Sequence, residues 1–194
     1  MKTITTITNI LLLGLCLASC SKNENDQLAQ AVVEMTPEMK VKRGVYLVNA
    51  MGCDDCHSPK IMTPQGPAPD PKLRLSGHPA RQQFAPISDK SVLKDYVLFG
   101  MGMTDATGPW GTSFAANLTP DGTSIGNWTE EQFIKAIREG KYKGLDGSRP
   151  LLPPMPWTVY KNLSDDDLTS IFSYLMSLPP VNNIVPAPIP PAAK

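Results

Sequence analysis

Metal ligands, cross-links and net charge are all scarce in this chain. Only two histidines, His57 and His78, and four cysteines occur in 194 residues. A structural zinc site needs about four ligands, and no second Cys/His pair exists to supply them. Long hydrophobic runs are missing too: the apolar stretch at residues 10–17 is too short to span a bilayer. Neither sign of charge prevails, with 18 Lys and Arg against 18 Asp and Glu. That balance offers no basic groove for nucleic acid and no strong field for steering a charged partner.

What the chain does have is Cys53-Asp54-Asp55-Cys56-His57. Thiols three positions apart lie about one helical turn from each other. Both can add to the vinyl groups on one edge of a porphyrin while the adjacent imidazole reaches the iron, the reading of Cys-x-x-Cys-His as a c-type haem attachment site. Three other readings fit less well. A thioredoxin-like dithiol wants a preceding strand, whereas residues 41–48 are patterned as a helix. Zinc lacks ligands, because Cys16 and Cys20 fall in a targeting segment. A disulfide between Cys53 and Cys56 would close a very small loop and leave His57 without a role.

The N-terminus reads as a signal. Lys2 precedes the apolar run, which ends in Leu17-Ala18-Ser19-Cys20, similar to a bacterial lipoprotein lipobox. Cleavage would remove residues 1–19 and leave Cys20 as the lipidated first residue. The cysteines then have one use each: Cys16 leaves with the signal, Cys20 carries lipid, and Cys53 and Cys56 carry haem. Residues 20–36 are polar and aperiodic, a flexible tether. Serine after the lipidated cysteine resembles lipoproteins sorted to the outer membrane. What remains is enough for one domain, residues 37–180, followed by a proline-rich tail, 181–194, expected to be extended and exposed.

Four helices are expected in that domain. The first starts with Thr36 as N-cap and Pro37 at its first position, ends near Gly52, and puts Gly44, Leu47, Val48 and Met51 on one face. Gly44 either admits another helix closely or is merely tolerated. Seven prolines in residues 58–86 make a loop; His78 within it is expected at the surface. A second helix is expected over residues 88–100, with Val92, Leu93, Tyr96 and Val97 on one face, and then a loop at residues 101–111. Thr129-Glu130-Glu131-Gln132 is a capping box opening a third helix with Phe133, Ile134 and Ile137 inward and Gly140 as its stop. Ser164 caps a fourth, with Asp165, Asp166 and Asp167 in its first turn and Leu168, Ile171, Phe172 and Leu175 at buried spacing. Between these two helices, Met155 stands among Pro153, Pro154 and Pro156 on a stiff segment.

With the helix entering CxxCH, Asn117-Leu118-Thr119-Pro120-Asp121, Ser124-Ile125-Gly126-Asn127-Trp128 and Pro154-Met155-Pro156-Trp157, residues 37–180 resemble a class I c-type cytochrome. They are more closely similar to the single-haem domains of cytochrome subunits of bacterial membrane dehydrogenases. Members often carry several CxxCH motifs and this chain carries one, so multi-haem wiring within it is excluded. The resemblance implies an all-α cytochrome c fold: about four helices, with long proline-rich loops around one covalent haem c and its iron. The first and last helices would cross, with Gly44 against Phe172 or Tyr174. Sequence distance from His57 leaves Met101, Met103, His78 and Met155 as candidates for the sixth ligand. The resemblance selects Met155, because class I cytochromes carry their ligand on a loop just before the last helix.

The expected function is one-electron transfer in an exported respiratory or dehydrogenase-linked chain, without catalysis by the domain itself, since two axial ligands leave no open iron position. Partners would be redox proteins (a dehydrogenase, an oxidase or another cytochrome) and a membrane through the lipid, with no nucleic acid. The location would be the periplasmic side of the envelope of a Gram-negative-type bacterium, at the outer membrane. The alternative is a gas sensor or peroxidase with a weak sixth ligand, for which His78 or Arg149 would serve as the distal group.

Overall fold

Pro37 has no N–H to lose at a helix start, and the Thr36 hydroxyl accepts a hydrogen bond from the Met39 amide, so helix α1 begins there and spans Pro37–Ala50. The computed structural model describes residues 34–83 and 87–191 of the chain. The expected signal peptide, Cys20 and most of the tether lie outside the described residues. A second helix of one turn, α2 (Cys53–His57), holds the CxxCH motif. Helix α3 (Glu130–Glu139) is capped by Thr129, whose hydroxyl accepts from the Gln132 amide, and stops at Gly140 in the left-handed conformation. A short helix, α4 (Trp157–Tyr160), precedes the last, α5 (Asp165–Met176). Ser164 caps α5 by accepting from the Asp167 amide.

Helices α1 and α5 form the main packed pair. Gly44 is what lets them approach: a Cβ on residue 44 would collide with the Ser170 carbonyl oxygen and lie 2.6 Å from the Tyr174 Cβ. Of the two aromatics considered as its neighbour, Tyr174 is the one in contact. Leu47, Val48, Leu75, Ile125, Phe133, Ile171, Phe172, Tyr174 and Leu175 make the core, with the Phe133 and Phe172 rings 5.3 Å apart. Arg43 Nε adds a 2.9 Å ion pair to Asp167 at the edge of the pair.

The all-α expectation holds only in part, because two small antiparallel sheets accompany the helices. Strands β1 (Lys60–Thr63) and β2 (Gly66–Pro69) form a hairpin that tolerates Pro67 and Pro69 because both strands are edges. Strands β3 (Leu98–Phe99), β4 (Asp105–Gly108) and β5 (Gly111–Phe114) form the other sheet. The expected helix over residues 88–100 is therefore corrected. Only residues 90–94 turn, as a 3-10 helix started by Asp89, and Leu98 and Phe99 then pair with Thr107 and Ala106. The apolar face that suggested a helix is not buried, since Tyr96 and Val97 are exposed. Strand pairing has overridden local propensity. The loop expected at residues 101–111 likewise contains most of a hairpin.

Segment 181–191 is extended, as its prolines require, but it is pinned near both ends rather than free. Asn117 Nδ2 donates to the Val181 carbonyl at 2.8 Å, and Ile189 exchanges two backbone hydrogen bonds with Thr112.

Candidate functional site

Cys53 and Cys56 face the same way because they are one turn apart on α2. The helix is held by Asp54, the first of the two residues between them. Arg74 Nε donates to both Asp54 carboxylate oxygens, at 3.1 and 3.0 Å, and its Nη2 adds a third bond at 2.5 Å. Arg74 also donates to Asn49 Oδ1 at 2.6 Å and to the Tyr174 hydroxyl, tying α2 to α1 and α5. Ser58 Oγ donates to Asp54 at 2.6 Å and accepts from the Leu75 amide at 2.8 Å. The sequence reading missed Arg74, and no local pattern marks it, since its partners are 20 to 100 residues away.

Neither thiol is in a disulfide. Burial, with the Asp54 carboxylate second, pushes the Cys53 thiol up to about 11, and burial likewise raises Cys56. A redox dithiol of the thioredoxin kind needs the opposite shift. Nor do the described residues include any group of three or more His, Cys, Asp or Glu able to hold a metal ion.

His57 lines a cavity of about 440 Å³ together with Cys53, Cys56 and Met155. Its Nδ1 lies 2.7 Å from the Ala116 carbonyl oxygen, an acceptor, so Nδ1 carries the proton and Nε2 keeps its lone pair. Burial holds the imidazole below its ordinary pKa and therefore neutral. A histidine with one nitrogen tied to a carbonyl and the other free is oriented as metal-binding histidines are. The remaining walls are largely apolar, with Val48, Leu118, Trp128, Phe133, Ile171 and Leu175 among them.

The segment before α4 brings Met155 to this cavity. Ser113 Oγ donates to the Pro153 carbonyl at 2.5 Å, the Leu151 amide donates to the Gly140 carbonyl at 2.7 Å, and the Trp157 ring lies against Gly140. The hydroxyl of Tyr160, a wall residue the sequence reading also missed, donates to the Met51 carbonyl at 3.0 Å and so joins α4 to the turn before Cys53. Met103 and Met51 also reach the cavity, whereas Met101 is 91% exposed and is not on its wall.

His78 is not where the sequence suggested. It is fully buried, not at the surface, and stands behind the cavity wall rather than on it. Its Nδ1 is 2.9 Å from Thr104 Oγ1 and 3.7 Å from Asp105 Oδ1, and its ring packs 4.8 Å from that of Phe114. Arg149, the other distal group considered, does reach the cavity; its guanidinium lies 4.0 Å over the Tyr142 ring.

No family model matches the chain. Over 137 residues it is 33% identical to the gluconate 2-dehydrogenase cytochrome c subunit of Pantoea cypripedii, covering 70% of this chain and 22% of that protein. Over 140 residues it is 30% identical to the cytochrome c subunit of the quinone alcohol dehydrogenase of Gluconobacter oxydans, covering 72% and 21%. The fructose dehydrogenase cytochrome subunit of Gluconobacter japonicus is 43% identical over 70 residues, 36% of this chain and 14% of that protein. The chain thus matches about a fifth or less of the length of these relatives. With the CxxCH helix, the oriented His57 and the apolar cavity, these similarities make the chain a c-type cytochrome, a member of the group that includes the cytochrome subunits of bacterial dehydrogenases.

Proposed function

We propose that the chain is a one-electron carrier that holds a single haem c through Cys53 and Cys56, with His57 and Met155 as the axial ligands, and that it relays electrons from a dehydrogenase. The observation that carries this reading is the convergence of those four side chains on one apolar cavity, with His57 Nδ1 already committed to Ala116. The residues fit the group: two free thiols one turn apart, a neutral imidazole with an available nitrogen, a soft thioether, and mostly apolar walls.

Bound there, haem c supplies an Fe(III)/Fe(II) couple. The protein's own part is positional and electrostatic. The Ala116 carbonyl fixes the tautomer and plane of His57, while the Asp54–Arg74 pair holds the turn that presents both sulfurs. The Met155 thioether favours the ferrous state, and so do apolar walls that exclude water from the more highly charged ferric state. With His57 and Met155 both holding the iron, substrates would have no site on it, so the domain would transfer electrons and leave catalysis to its partner.

Of the two distal candidates of the gas-binding alternative, His78 is walled off, and Arg149, which does reach the cavity, lies over the Tyr142 ring. The distinguishing experiment is a reductive titration of the exported protein followed by exposure to carbon monoxide. A one-electron transition and a ferrous spectrum indifferent to carbon monoxide are expected; rapid carbon monoxide binding by the wild type would instead assign an open sixth position.

The same proposal places the protein on the periplasmic side of the envelope, anchored at the outer membrane by lipid on Cys20. No helix among the described residues is long and apolar enough to cross a membrane, and Leu17-Ala18-Ser19-Cys20 provides a lipidation sequence. An acyl mass on Cys20 of the mature protein is expected; recovery of wild type as a soluble, unacylated chain would remove the anchor.

A further inference from the structure

Segment 181–191 crosses one side of the cavity, clamped at both ends. At its start the Asn183 side chain makes three hydrogen bonds to one stretch of the long loop. Its Nδ2 donates to the carbonyls of Ser76 at 2.7 Å and His78 at 2.9 Å, and its Oδ1 accepts from the Ala80 amide at 3.0 Å. Asn117 and Thr119 hold the same end: Asn117 Nδ2 donates to the Val181 carbonyl, and the Val181 amide donates to Thr119 Oγ1 at 3.0 Å. At the far end Ile189 pairs with Thr112 through both backbone groups. There Gly111, at φ +92°, lets the chain come close, since a Cβ on it would collide with the Ile189 carbonyl. Between the clamps, Ile184, Val185, Pro186 and Pro188 line the cavity.

A segment fastened at two points that contributes Ile184, Val185, Pro186 and Pro188 to the cavity lining between them, with Ile184 69% exposed and the other three half-buried, is a wall of that cavity, not a surplus tail. We infer that segment 181–191 is a structural strap of the haem site, and that Asn183 is the positioning residue that keeps it in place. The inference rests on the haem reading above. Prolines suit such a wall, because Pro186 and Pro188 stiffen the span and lose no amide hydrogen bond by lying against an apolar surface. The strap's effect is to exclude water on that side. Water stabilises the more highly charged ferric form, so opening the strap lowers the midpoint potential even though no ligand to the iron is touched.

The test compares wild type, Asn183→Ala and a chain ending at Pro180, all exported with haem attached. Haem staining on a denaturing gel reports attachment, circular dichroism reports the helices, and a redox titration reports the potential. Both variants should keep stained haem and wild-type helicity, with a lower potential, and the truncated chain should shift further than Asn183→Ala. Wild-type potentials in both stained variants would overturn the strap. Should the truncated chain fail to accumulate, Asn183→Ala decides alone by the same criterion, since it deletes three hydrogen bonds but no cavity residue. Absence of stained haem from the wild type itself would instead overturn the haem reading, and the strap with it.

Discussion

Arg74 reaches twenty residues back along the chain and grips both carboxylate oxygens of Asp54, the residue that follows the first of the two cysteines. Only 17% of the Asp54 side chain and 31% of the Arg74 side chain are exposed, so this pair lies between a surface bridge and a buried one. Arg74→Gln should cost about 1–3 kcal/mol of stability, between the values typical of exposed and buried pairs that lose one partner. Urea unfolding of the haem-loaded protein measures it. A loss below about 0.5 kcal/mol, the range of ordinary surface substitutions, would mean that the pair does not hold the motif.

Gly44 makes a second, independent prediction. Alanine is the better helix former by about 1 kcal/mol, so on an open helix face Gly44→Ala would stabilise. Here the new methyl meets the Ser170 carbonyl, which belongs to a helix backbone and cannot turn aside. Overpacking of this kind costs about 1–3 kcal/mol, and a lower urea midpoint is expected. A gain in stability would show that α1 and α5 separate easily.

How far the sequence led is plain from these elements. Thr36-Pro37, Thr129 with Gln132, and Ser164 with its three aspartates are local signals, each contained within a few residues, and all three mark helix starts in the structure. CxxCH is local in the same sense. The strands at Leu98–Phe99, Asp105–Gly108 and Gly111–Phe114 are not local, because β3 exists only by pairing with residues nine positions or less further on that themselves need β5. A helical spacing of Val92, Leu93, Tyr96 and Val97 could not reveal that two of the four would stay exposed. His78 sat among prolines and looked like a surface residue; burial came from Thr104, Asp105 and Phe114, which no nearby pattern announces. The proline-rich end was legible as extended, while its role as a wall depends on Asn117, Thr112 and the loop around His78.

The buried His78 gives the acid side of the stability curve. Burial holds its pKa below the ordinary 6.5, so in the folded state it stays neutral where the unfolded chain takes up a proton. Its contribution is therefore complete above about pH 6.5 and is lost as pH falls, at no more than about 1.4 kcal/mol per pH unit for one proton. Comparing stabilities at pH 7 and pH 5, wild type should lose more than His78→Gln. Equal losses would mean that His78 titrates in the folded protein as it does in the unfolded chain.

Met155 and Met103 both touch the cavity, so the ligand assignment has a built-in control. Met155→Ala should open the iron to carbon monoxide when reduced and shift the midpoint potential strongly downward, since a thioether favours ferrous iron. Met103 is 43% exposed, and Met103→Ala should leave both properties near wild type. The reverse pattern would transfer the sixth position to the loop before β4.

The claim beneath all of these is that Cys53 and Cys56 together hold one haem covalently. Intact mass and acid-acetone extraction of the exported chain test it most directly. The account predicts one added haem per chain that survives extraction, and none on the chain carrying Cys53→Ala and Cys56→Ala. A wild-type chain of apoprotein mass, or one whose haem leaves with the solvent, would contradict it.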